Sequence, residues 1–482
     1  MVDLRPIAFV FGCILIVLAV LMLAPAFLDW SAGNGNGDDF LQSATLTAGI
    51  GGLLALATAN GATKAFDIRQ AYLLTAVIWL GTPVFGALPL MLGAPHLHFT
   101  EAYFEAVSGL TTTGATVIYG LDALPAGMNL WRGLLNAFGG LGIAFVAMIF
   151  LPVMRVGGMQ FFRTEGFDTF GKVLPRAADI SKQLVGVYVG LILLAALVYA
   201  SIGMTALDAV VHAMSSVATG GFSPRDASFN EYAGAGEYFG ALFMFLGSLP
   251  YVRYVQLVNG DPKPLWQDAQ VRAYVKVLAL AVGSVTLWRW STSDMGLEEV
   301  FRQSLFNLIS IISSTGFFSG SFPTWDGYML VVAFLIGIIG ACAGSSSAGL
   351  TIFRAQIAWA ALVQQVRQIV TPGRVSPVKY DGRTVEPDVI DALILYITGY
   401  VLTLGALAVA MTLTGVDPMS SLFAVWTGIG NIGYGFGPLV ERTGTFVDFN
   451  DAAKWILTLS MLLGRLGLLA IFVLVLPRFW RR

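Results

Sequence analysis

The apolar positions of this chain cluster into ten stretches that are each long enough to cross a bilayer, which takes about 20 residues. These stretches lie near 7–28, 41–63, 71–93, 130–153, 183–204, 237–258, 271–290, 327–366, 389–414 and 452–477. Four further apolar stretches are too short to cross, near 99–112, 206–218, 298–313 and 417–429. Runs of that length are candidates for re-entrant segments, so the pattern predicts an all-α polytopic membrane protein.

Composition supports this interpretation. Of the 482 residues, 56% are hydrophobic and only 12% are charged, whereas a typical soluble domain has about 25% charged residues. The formal net charge of −2 indicates no charged partner, and we expect no nucleic-acid binding. Cys13 and Cys342 define no disulfide framework, and His96, His98 and His212 are too scattered for a transition-metal site.

Lysine and arginine predict the orientation. With the N-terminus in the cytoplasm, most of the 27 Lys and Arg residues fall on the cytoplasmic side, so both termini are predicted to be cytoplasmic. The first apolar run lacks the cleavage site of a signal peptide and is interpreted as a retained helix. In this topology, segment 29–40 and all four short stretches lie outside.

The four short stretches share one arrangement: an apolar helix-like run, then small or hydroxyl residues, then a loop that contains glycine. They read EAVSGLTTTGATV (105–117), VVHAMSSVATGGFS (210–223), SLFNLISIISSTGFFS (304–319) and LFAVWTGIGNIGYGFG (422–437). Aligning the loops pairs Gly114, Gly220, Gly316 and Gly433. The sequence therefore predicts four helix–loop–helix repeats, at 70–153, 183–258, 269–366 and 388–477, after a two-helix region at 1–69.

Loops of this kind suit an ion pore. Non-helical backbone survives in a bilayer only where it is buried in protein or lines water. Four loops that meet around one axis could replace the hydration shell of an ion with carbonyl oxygens, and glycine permits the backbone angles this needs. Acidic or capping residues near the starts of the short helices place the negative C-terminal dipole ends toward the axis, where they favour a cation.

The fourth loop also contains the dinucleotide-binding pattern G-x-G-x-x-G, through Gly428, Gly430 and Gly433. That motif requires a preceding strand and a βαβ unit. Here a membrane helix precedes the loop, and its three sibling loops lack the pattern. A flexible glycine-rich turn is the other alternative, and four aligned copies disfavour it.

At these loops the chain resembles the superfamily of potassium transporters that includes TrkH, KtrB and plant HKT proteins. The residues that carry the resemblance are TTTGATV (111–117), ATGGFS (218–223), SSTGFF (313–318) and NIGYG (431–435). The resemblance covers about residues 70–477, and TrkH and TrkG proteins also carry two extra N-terminal helices. It implies a pseudo-fourfold pore in each protomer, a homodimer, and a place in the bacterial inner membrane.

The resemblance also implies the ion-binding residues. Backbone carbonyls would coordinate K⁺ as the permeant ion, with no other cofactor, at Thr112, Thr113, Gly114, Thr219, Gly220, Gly221, Thr315, Gly316, Asn431, Ile432 and Gly433. In plant relatives a serine at the position of Gly114 goes with sodium transport, so this glycine favours potassium. The fourth loop departs from the family, because GYGFG has an aromatic residue where many TrkH-type proteins have GPG.

The eighth span contains GACAGSSSAGLTIFR (340–354), whose glycines and serines weaken a helix. Its length suits two half-helices and a loop, and a continuous small-residue packing surface is the alternative. The resemblance implies a flexible intramembrane loop that blocks the pore. We assign gating to Gly344, Ser345, Ser346, Ser347, Gly349 and Arg354.

Two arginines carry separate expectations. The resemblance implies that Arg354 projects into the permeation path, where its charge would repel cations; the alternative is an arginine that snorkels to the cytoplasm. Arg465 lies near the middle of the last span, where a charge is costly and usually faces the protein interior. We expect it to be a structural counter-charge to the fourth loop, the alternative being a cytoplasm-facing residue on a tilted helix.

Potassium uptake through a channel-like pore is the leading functional hypothesis. An H⁺- or Na⁺-coupled symporter is the alternative, and it should need acids inside the membrane, of which the sequence offers few. No Ser-His-Asp, H-E-x-x-H or paired-carboxylate arrangement indicates an enzyme. The cytoplasmic loops 154–183, 251–276 and 367–383 are basic, which the ordinary positive-inside bias also explains. The resemblance implies that they dock a cytosolic nucleotide-binding regulatory subunit of the TrkA type.

Overall fold

The computed structural model describes residues 3–61, 67–145, 177–371, 377–466 and 476–480, and these ranges are almost entirely helical. The helices are α1 (Arg5–Ser31), α2 (Asn36–Ala57), α3 (Ile68–Gly86), α4 (Leu88–Leu92), α5 (Phe99–Leu110), α6 (Ala126–Phe145), α7 (Ala177–Ser201), α8 (Ala206–Val217), α9 (Ala235–Gly247), α10 (Tyr251–Val258), α11 (Lys263–Gln267), α12 (Ala269–Thr292), α13 (Leu297–Ile312), α14 (Gly327–Ile339), α15 (Ile352–Val370), α16 (Pro387–Thr412), α17 (Pro418–Gly430), α18 (Pro438–Glu441), α19 (Asp451–Leu466) and α20 (Pro477–Trp480). A small antiparallel sheet pairs β1 (Lys379–Tyr380) with β2 (Arg383–Thr384). Within these ranges the all-α prediction is confirmed.

Several of these helices are long and apolar enough to cross a membrane. In the described part of the chain they are Arg5–Ser31, Asn36–Ala57, Arg69–Leu92, Lys182–Ser201, Ala269–Thr292 and Pro387–Thr412. Aliphatic and aromatic side chains remain exposed along them, for example Leu197 and Leu402, as a lipid-facing surface requires. The chain is a multi-pass membrane protein, as its hydropathy predicts.

The four short apolar stretches form the short helices α5, α8, α13 and α17, close to their predicted bounds. Each short helix packs against the second helix of its own unit, which is α6, α9, α14 or α19. It also packs against the second helix of the preceding unit. The second set of contacts is α8 with α6, α13 with α9, α17 with α14, and α5 with α19. Because the last of these joins the fourth unit to the first, the four units close into a circle.

The N-terminal helices α1 and α2 pack closely because their glycines face each other. A Cβ atom on Gly12 would lie only 2.7 Å from the carbonyl oxygen of Gly51. At the other end of the pair, the buried Asp29 carboxylate accepts hydrogen bonds from the Asn36 amide at 2.7 Å and from the Gly127 backbone N–H at 2.8 Å. Asp29 thereby joins α1 to α2 and to the start of α6.

Two predicted spans are interrupted. The stretch predicted to span near 237–258 forms α9 and α10, which together are long and apolar enough to cross a membrane but are bent by 91° relative to each other. Pro250 lies at the bend with an extended backbone (φ −63°, ψ 120°), and proline disfavours helical geometry in the residue before it. The stretch at 327–366 forms α14 and α15, and the residues between them, 340–351, are not helical.

Parts of the predicted repeats fall outside the described residues. These parts are 146–153 at the end of the first repeat, 467–475 at the end of the fourth, and most of the basic segment 154–183. The predicted repeat boundaries remain predictions for that reason.

We expect Asp29→Ala to lower the thermal stability of the detergent-solubilised protein. The change removes the acceptor of the Gly127 N–H and the Asn36 amide in a fully buried place, which costs about 2 kcal/mol. Thermal unfolding followed by circular dichroism measures the effect. The exposed Asp294 supplies the control, because Asp294→Ala should change stability by less than about 0.5 kcal/mol. Equal midpoints for both variants would contradict the anchoring role of Asp29.

Candidate functional site

The four short helices end with the same backbone geometry. Near the end of each, a buried residue other than glycine adopts a left-handed conformation: Thr112 (φ 48°), Thr219 (φ 50°), Ser314 (φ 60°) and Asn431 (φ 46°). The next residue in each loop donates its N–H to a carbonyl oxygen five positions back, at 2.7–2.9 Å. This helix ending normally uses glycine, because left-handed backbone is unfavourable for other residues. Its fourfold repetition shows that the surrounding structure holds these residues in place.

Two positions after each left-handed residue comes a glycine that lies against a neighbouring loop. We name the segments loop 1 (111–117), loop 2 (218–224), loop 3 (313–319) and loop 4 (431–437). A Cβ atom on the glycine would overlap a carbonyl oxygen of the next loop, for Gly114 that of Gly220, for Gly221 that of Thr315, for Gly316 that of Ile432, and for Gly433 that of Thr113. The contacts run from loop 1 to 2, 2 to 3, 3 to 4, and 4 back to 1. The four loops therefore form a closed loop ring.

The structure corrects the register of loop 2. The sequence alignment paired Gly220 with Gly114, but the positive φ of 75° and the contact with the Thr315 carbonyl belong to Gly221. Gly220 instead corresponds to Thr113, because both donate their N–H to a serine carbonyl five positions back. Two adjacent glycines made the alignment ambiguous, and only the backbone geometry resolves it.

The loop ring contains every residue that the sequence predicted to coordinate the ion: Thr112, Thr113, Gly114, Thr219, Gly220, Gly221, Thr315, Gly316, Asn431, Ile432 and Gly433. Side chains also join the loops, since the Asn431 amide donates to the Thr113 hydroxyl at 2.8 Å. The residues predicted from the sequence do not include Ser314, which is the counterpart of Thr112. Aligning SSTG with TTTG residue by residue would have found it.

The electrostatics of the loop ring favour a cation. Each loop follows the C-terminus of a short helix directly, so four negative dipole ends converge there. The opposite ends of α8 and α17 are capped by side chains, because the Thr205 hydroxyl accepts from the Asp208 N–H at 3.2 Å and the Asp417 carboxylate accepts from the Ser420 N–H at 2.9 Å. Among the described residues no three His, Cys, Asp or Glu side chains converge as metal ligands. The donors at the loop ring are backbone carbonyls and hydroxyls, which suit an alkali cation.

A cavity that is open to solvent adjoins the loop ring, and Gly114, Gly221, Gly316 and Gly433 all line it. Charged residues share its wall. Among them, Arg225 pairs with Asp208 at 2.8 Å and with Asp122 at 3.1 Å. The hydrogen bonds that the Arg225 guanidinium donates to the Asp208 carboxylate, and to a smaller extent to the Asp122 carboxylate, raise the pKa of Arg225 above its ordinary value. The cavity therefore opens onto the loop ring, and the positive charge of Arg225 in its wall is balanced by the carboxylates of Asp208 and Asp122.

The non-helical residues 340–351, here called the break loop, pack against loop 3. The Ser347 hydroxyl donates to the carbonyl oxygen of Ser313, and the Ala348 N–H donates to the Ser314 hydroxyl at 3.1 Å. The break loop is also attached to α10, because its Ser346 hydroxyl lies 2.7 Å from the Tyr251 hydroxyl. The predicted gating residues Gly344, Ser345, Ser346, Ser347 and Gly349 therefore lie next to the loop ring, at the side where the short helices end.

Arg354 lies in the first turn of α15 and is only 5% exposed. Its guanidinium donates to the Leu350 carbonyl at 2.8 Å and lies 4.2 Å from the centre of the Tyr396 ring of α16. A side chain so enclosed does not snorkel into the cytoplasm, and that alternative is wrong. The contacts place Arg354 between the end of the break loop and α16.

Arg465 contacts a different loop from the one expected. Its guanidinium donates to the carbonyl oxygens of Thr111 and Thr112 and to the Thr112 hydroxyl, all in loop 1. The expectation of a counter-charge to loop 4 is therefore wrong. The reason is the closed circle of units, which packs α19 of the fourth unit against α5 of the first.

Comparisons with known proteins find relatives along the whole chain. A family model described as "TrkH: Cation transport protein" matches residues 37–482. The Trk system potassium uptake protein TrkI of Halomonas elongata is 38% identical over 415 residues, which are 86% of this chain and 84% of that protein. The TrkH protein of Escherichia coli K12 is 31% identical over 99% of both chains. The crystal structure of the potassium transporter TrkH from Vibrio parahaemolyticus matches with a TM-score of 0.91 at 30% identity, covering 100% of each chain.

We expect Gly221→Ala to lower the thermal midpoint much more than Gly415→Ala. Both glycines have positive φ, 75° and 93°, so both variants share a strain of about 1–2 kcal/mol. Only at Gly221 does the new methyl group meet a carbonyl oxygen, whereas nothing lies within 4 Å of the same position at Gly415. Thermal unfolding of the two variants measures the difference. Equal losses would contradict the contact between loops 2 and 3.

Proposed function

Because this chain belongs to the TrkH family of cation transport proteins, we propose that it takes up potassium across a bacterial inner membrane through a channel-like selective pore. The relatives at 31–38% identity are themselves named Trk system potassium uptake proteins. The observation that carries the proposal is the closed loop ring, in which each glycine lies against a carbonyl oxygen of the next loop.

In the proposed mechanism the loop ring is the selectivity filter. Carbonyl oxygens of residues 112–114, 219–221, 315–316 and 431–433, together with those of the newly recognised Ser314, replace the hydration shell of K⁺. The absence of a Cβ atom at the ring glycines leaves room for this close approach. The four helix C-termini add a negative potential that offsets the cost of dehydration. K⁺ is the permeant ion in this mechanism, which requires no other cofactor.

The break loop is the proposed gate. It lies at the C-terminal side of the short helices, where an ion leaving the filter would emerge. Its glycines at 340, 344 and 349 all have positive φ, so the segment can rearrange its backbone without side-chain strain. Arg354 holds the end of the break loop through the Leu350 carbonyl, which supports a gating role through the loop's position.

Arg465 is the proposed electrostatic barrier. Its guanidinium contacts the carbonyl oxygens of Thr111 and Thr112, so a K⁺ ion at the start of loop 1 would meet a fixed positive charge. Movement of α19 or of this side chain would then accompany conduction. The charge thus acts on loop 1 of the filter itself and complements the steric gate of the break loop.

The assembly we propose follows the family resemblance. It is a homodimer with both termini in the cytoplasm, and a nucleotide-binding subunit of the TrkA type docks on the cytoplasmic surface. The exposed Lys379, Arg383 and Arg367 belong to the basic segment 367–383 that would face such a subunit.

The acids of the described residues favour a pore over an ion-coupled symporter. The buried carboxylates are Asp29, Glu105, Asp208, Glu237 and Asp268, and each accepts hydrogen bonds or an ion pair within the protein. Coupling to protons or sodium usually uses an acid that can exchange its partner. Carboxylates so fully paired support passive, selective permeation.

Flux in liposomes tests the proposal. With the full-length protein and its regulatory partner present, K⁺ should enter down its own gradient when proton and sodium gradients are absent. A K⁺-sensitive dye inside the vesicles follows the uptake. Uptake that requires an imposed proton or sodium gradient would replace the pore with the symporter, and equal entry of K⁺ and Na⁺ would contradict a selective filter.

We expect Tyr251→Phe to raise K⁺ flux, because it removes the hydroxyl that joins α10 to Ser346 of the break loop. One hydrogen bond is worth about 1 kcal/mol, which corresponds to about a fivefold rise in the open population. Tyr254→Phe is the matched control, since its hydroxyl donates to the Leu246 carbonyl, outside the break loop. Similar fluxes in the two variants would contradict a gate that is attached to α10.

A further inference from the structure

One position of the short helices faces the chain that leaves each loop. The position lies three residues before the residue whose carbonyl oxygen accepts the hydrogen bond at the helix end. It is occupied by Glu105, His212, Asn307 and Ala424, which are all fully buried. In the first three units this side chain makes a hydrogen bond to a residue that follows the ring glycine in its own loop. The position therefore has the same structural role in three units, although the residue that occupies it differs.

Glu105 makes the strongest of these connections. Its carboxylate accepts a hydrogen bond from the Thr116 hydroxyl at 2.9 Å and one from the Val117 N–H at 3.1 Å. Both residues follow Gly114 in loop 1. His212 reaches the Ser223 hydroxyl at 3.0 Å in loop 2. In loop 3, the Asn307 carbonyl oxygen accepts the Ser319 N–H at 3.0 Å. Ala424 has no group that could hold loop 4.

Glu105 also has a buried cationic partner that reaches a second loop. Arg132 of α6 donates to the Glu105 carboxylate at 2.9 Å, and the two side chains are 1% and 0% exposed. The same guanidinium donates to the Ser223 carbonyl at 2.9 Å and lies 4.2 Å from the centre of the Phe222 ring. Loops 1 and 2 are thus joined behind Gly114 and Gly221 by one ion pair.

We propose that the Glu105–Arg132 pair sets the K⁺ over Na⁺ preference by holding loops 1 and 2 at a fixed separation. The proposal rests on the pore function above and names two positioning residues that contact no ion. Selectivity by carbonyl oxygens depends on how freely the oxygens can move toward a smaller ion. The ion pair cross-links the residues that follow Gly114 in loop 1 and Gly221 in loop 2, and this cross-link restricts the movement of their carbonyl oxygens.

The geometry explains why this support is ionic. Arg132 lines the cavity beside the loop ring, where an unpaired positive charge would repel the incoming cation. Pairing with Glu105 removes the net charge and keeps the planar, multiply bonded guanidinium, which reaches Glu105 and Ser223 together. A lysine has a single ammonium group and would not reproduce both bonds in the same directions.

The test compares the full-length protein with the double variant Glu105→Leu/Arg132→Met. Apolar side chains of similar volume often replace a buried ion pair without loss of folding, yet they make no bond to Thr116, Val117 or Ser223. We expect normal assembly, retained K⁺ flux, and a K⁺/Na⁺ flux ratio that falls about tenfold, because the change removes charge-assisted hydrogen bonds, whose loss typically changes an equilibrium by about that factor. Stabilisation of the thermal midpoint by K⁺ over Na⁺ should shrink in parallel, and this readout needs no open gate.

The control is Glu101→Gln/Lys454→Met, which breaks another ion pair between α5 and α19 that contacts no residue of the loop ring. This variant should keep the wild-type ratio. If the main double variant fails to assemble, Arg132→Lys decides, and it too should lower the ratio. An unchanged ratio in an assembled double variant, or in Arg132→Lys, overturns the inference. A wild-type protein without K⁺ preference in flux and in thermal stabilisation overturns the proposed function itself.

Discussion

The contact between each ring glycine and a carbonyl oxygen of the next loop is the constraint on which the rest of the structure depends. Backbone that is neither helical nor paired is costly inside a membrane, so such loops persist only where they are buried in protein or line water, and here each loop lies against the next. The contact leaves no room for a side chain at Gly114, Gly221, Gly316 or Gly433. It also fixes where the short helices must end, because each left-handed residue lies two positions before its glycine.

The supports around the loop ring differ from side to side. Loops 1 and 2 are joined by the buried ion pair of Glu105 and Arg132. Loops 3 and 4 are joined by aromatic rings, since the Tyr434 ring centre lies 5.1 Å from those of Phe318 and Phe322. The aromatic residue of GYGFG that departs from the family pattern is therefore part of this packing.

In the second and third units the second helix is not a straight span. One interruption brings a residue into contact with the break loop, and the other contains the break loop itself. The 91° bend at Pro250 brings Tyr251 to the Gly344 carbonyl and to the Ser346 hydroxyl. The interruption between α14 and α15 supplies the residues that meet Ser313 and Ser314. Small and hydroxyl residues suit this segment, because their own hydrogen bonds satisfy backbone that a helix would otherwise satisfy.

The sequence by itself determined the membrane class, the approximate places of the described spans, the bounds of the four short helices, and the segments that form the loop ring. These features are written in hydropathy and in spacing along the chain, which are local properties. Only the tertiary structure decided the register of Gly221, the bend at Pro250, the partner of Arg465 and the pairing of Glu105 with Arg132. Arg465 and Thr111 are 354 positions apart. They meet because the fourth unit packs against the first, and no local pattern records how a circle of four units closes.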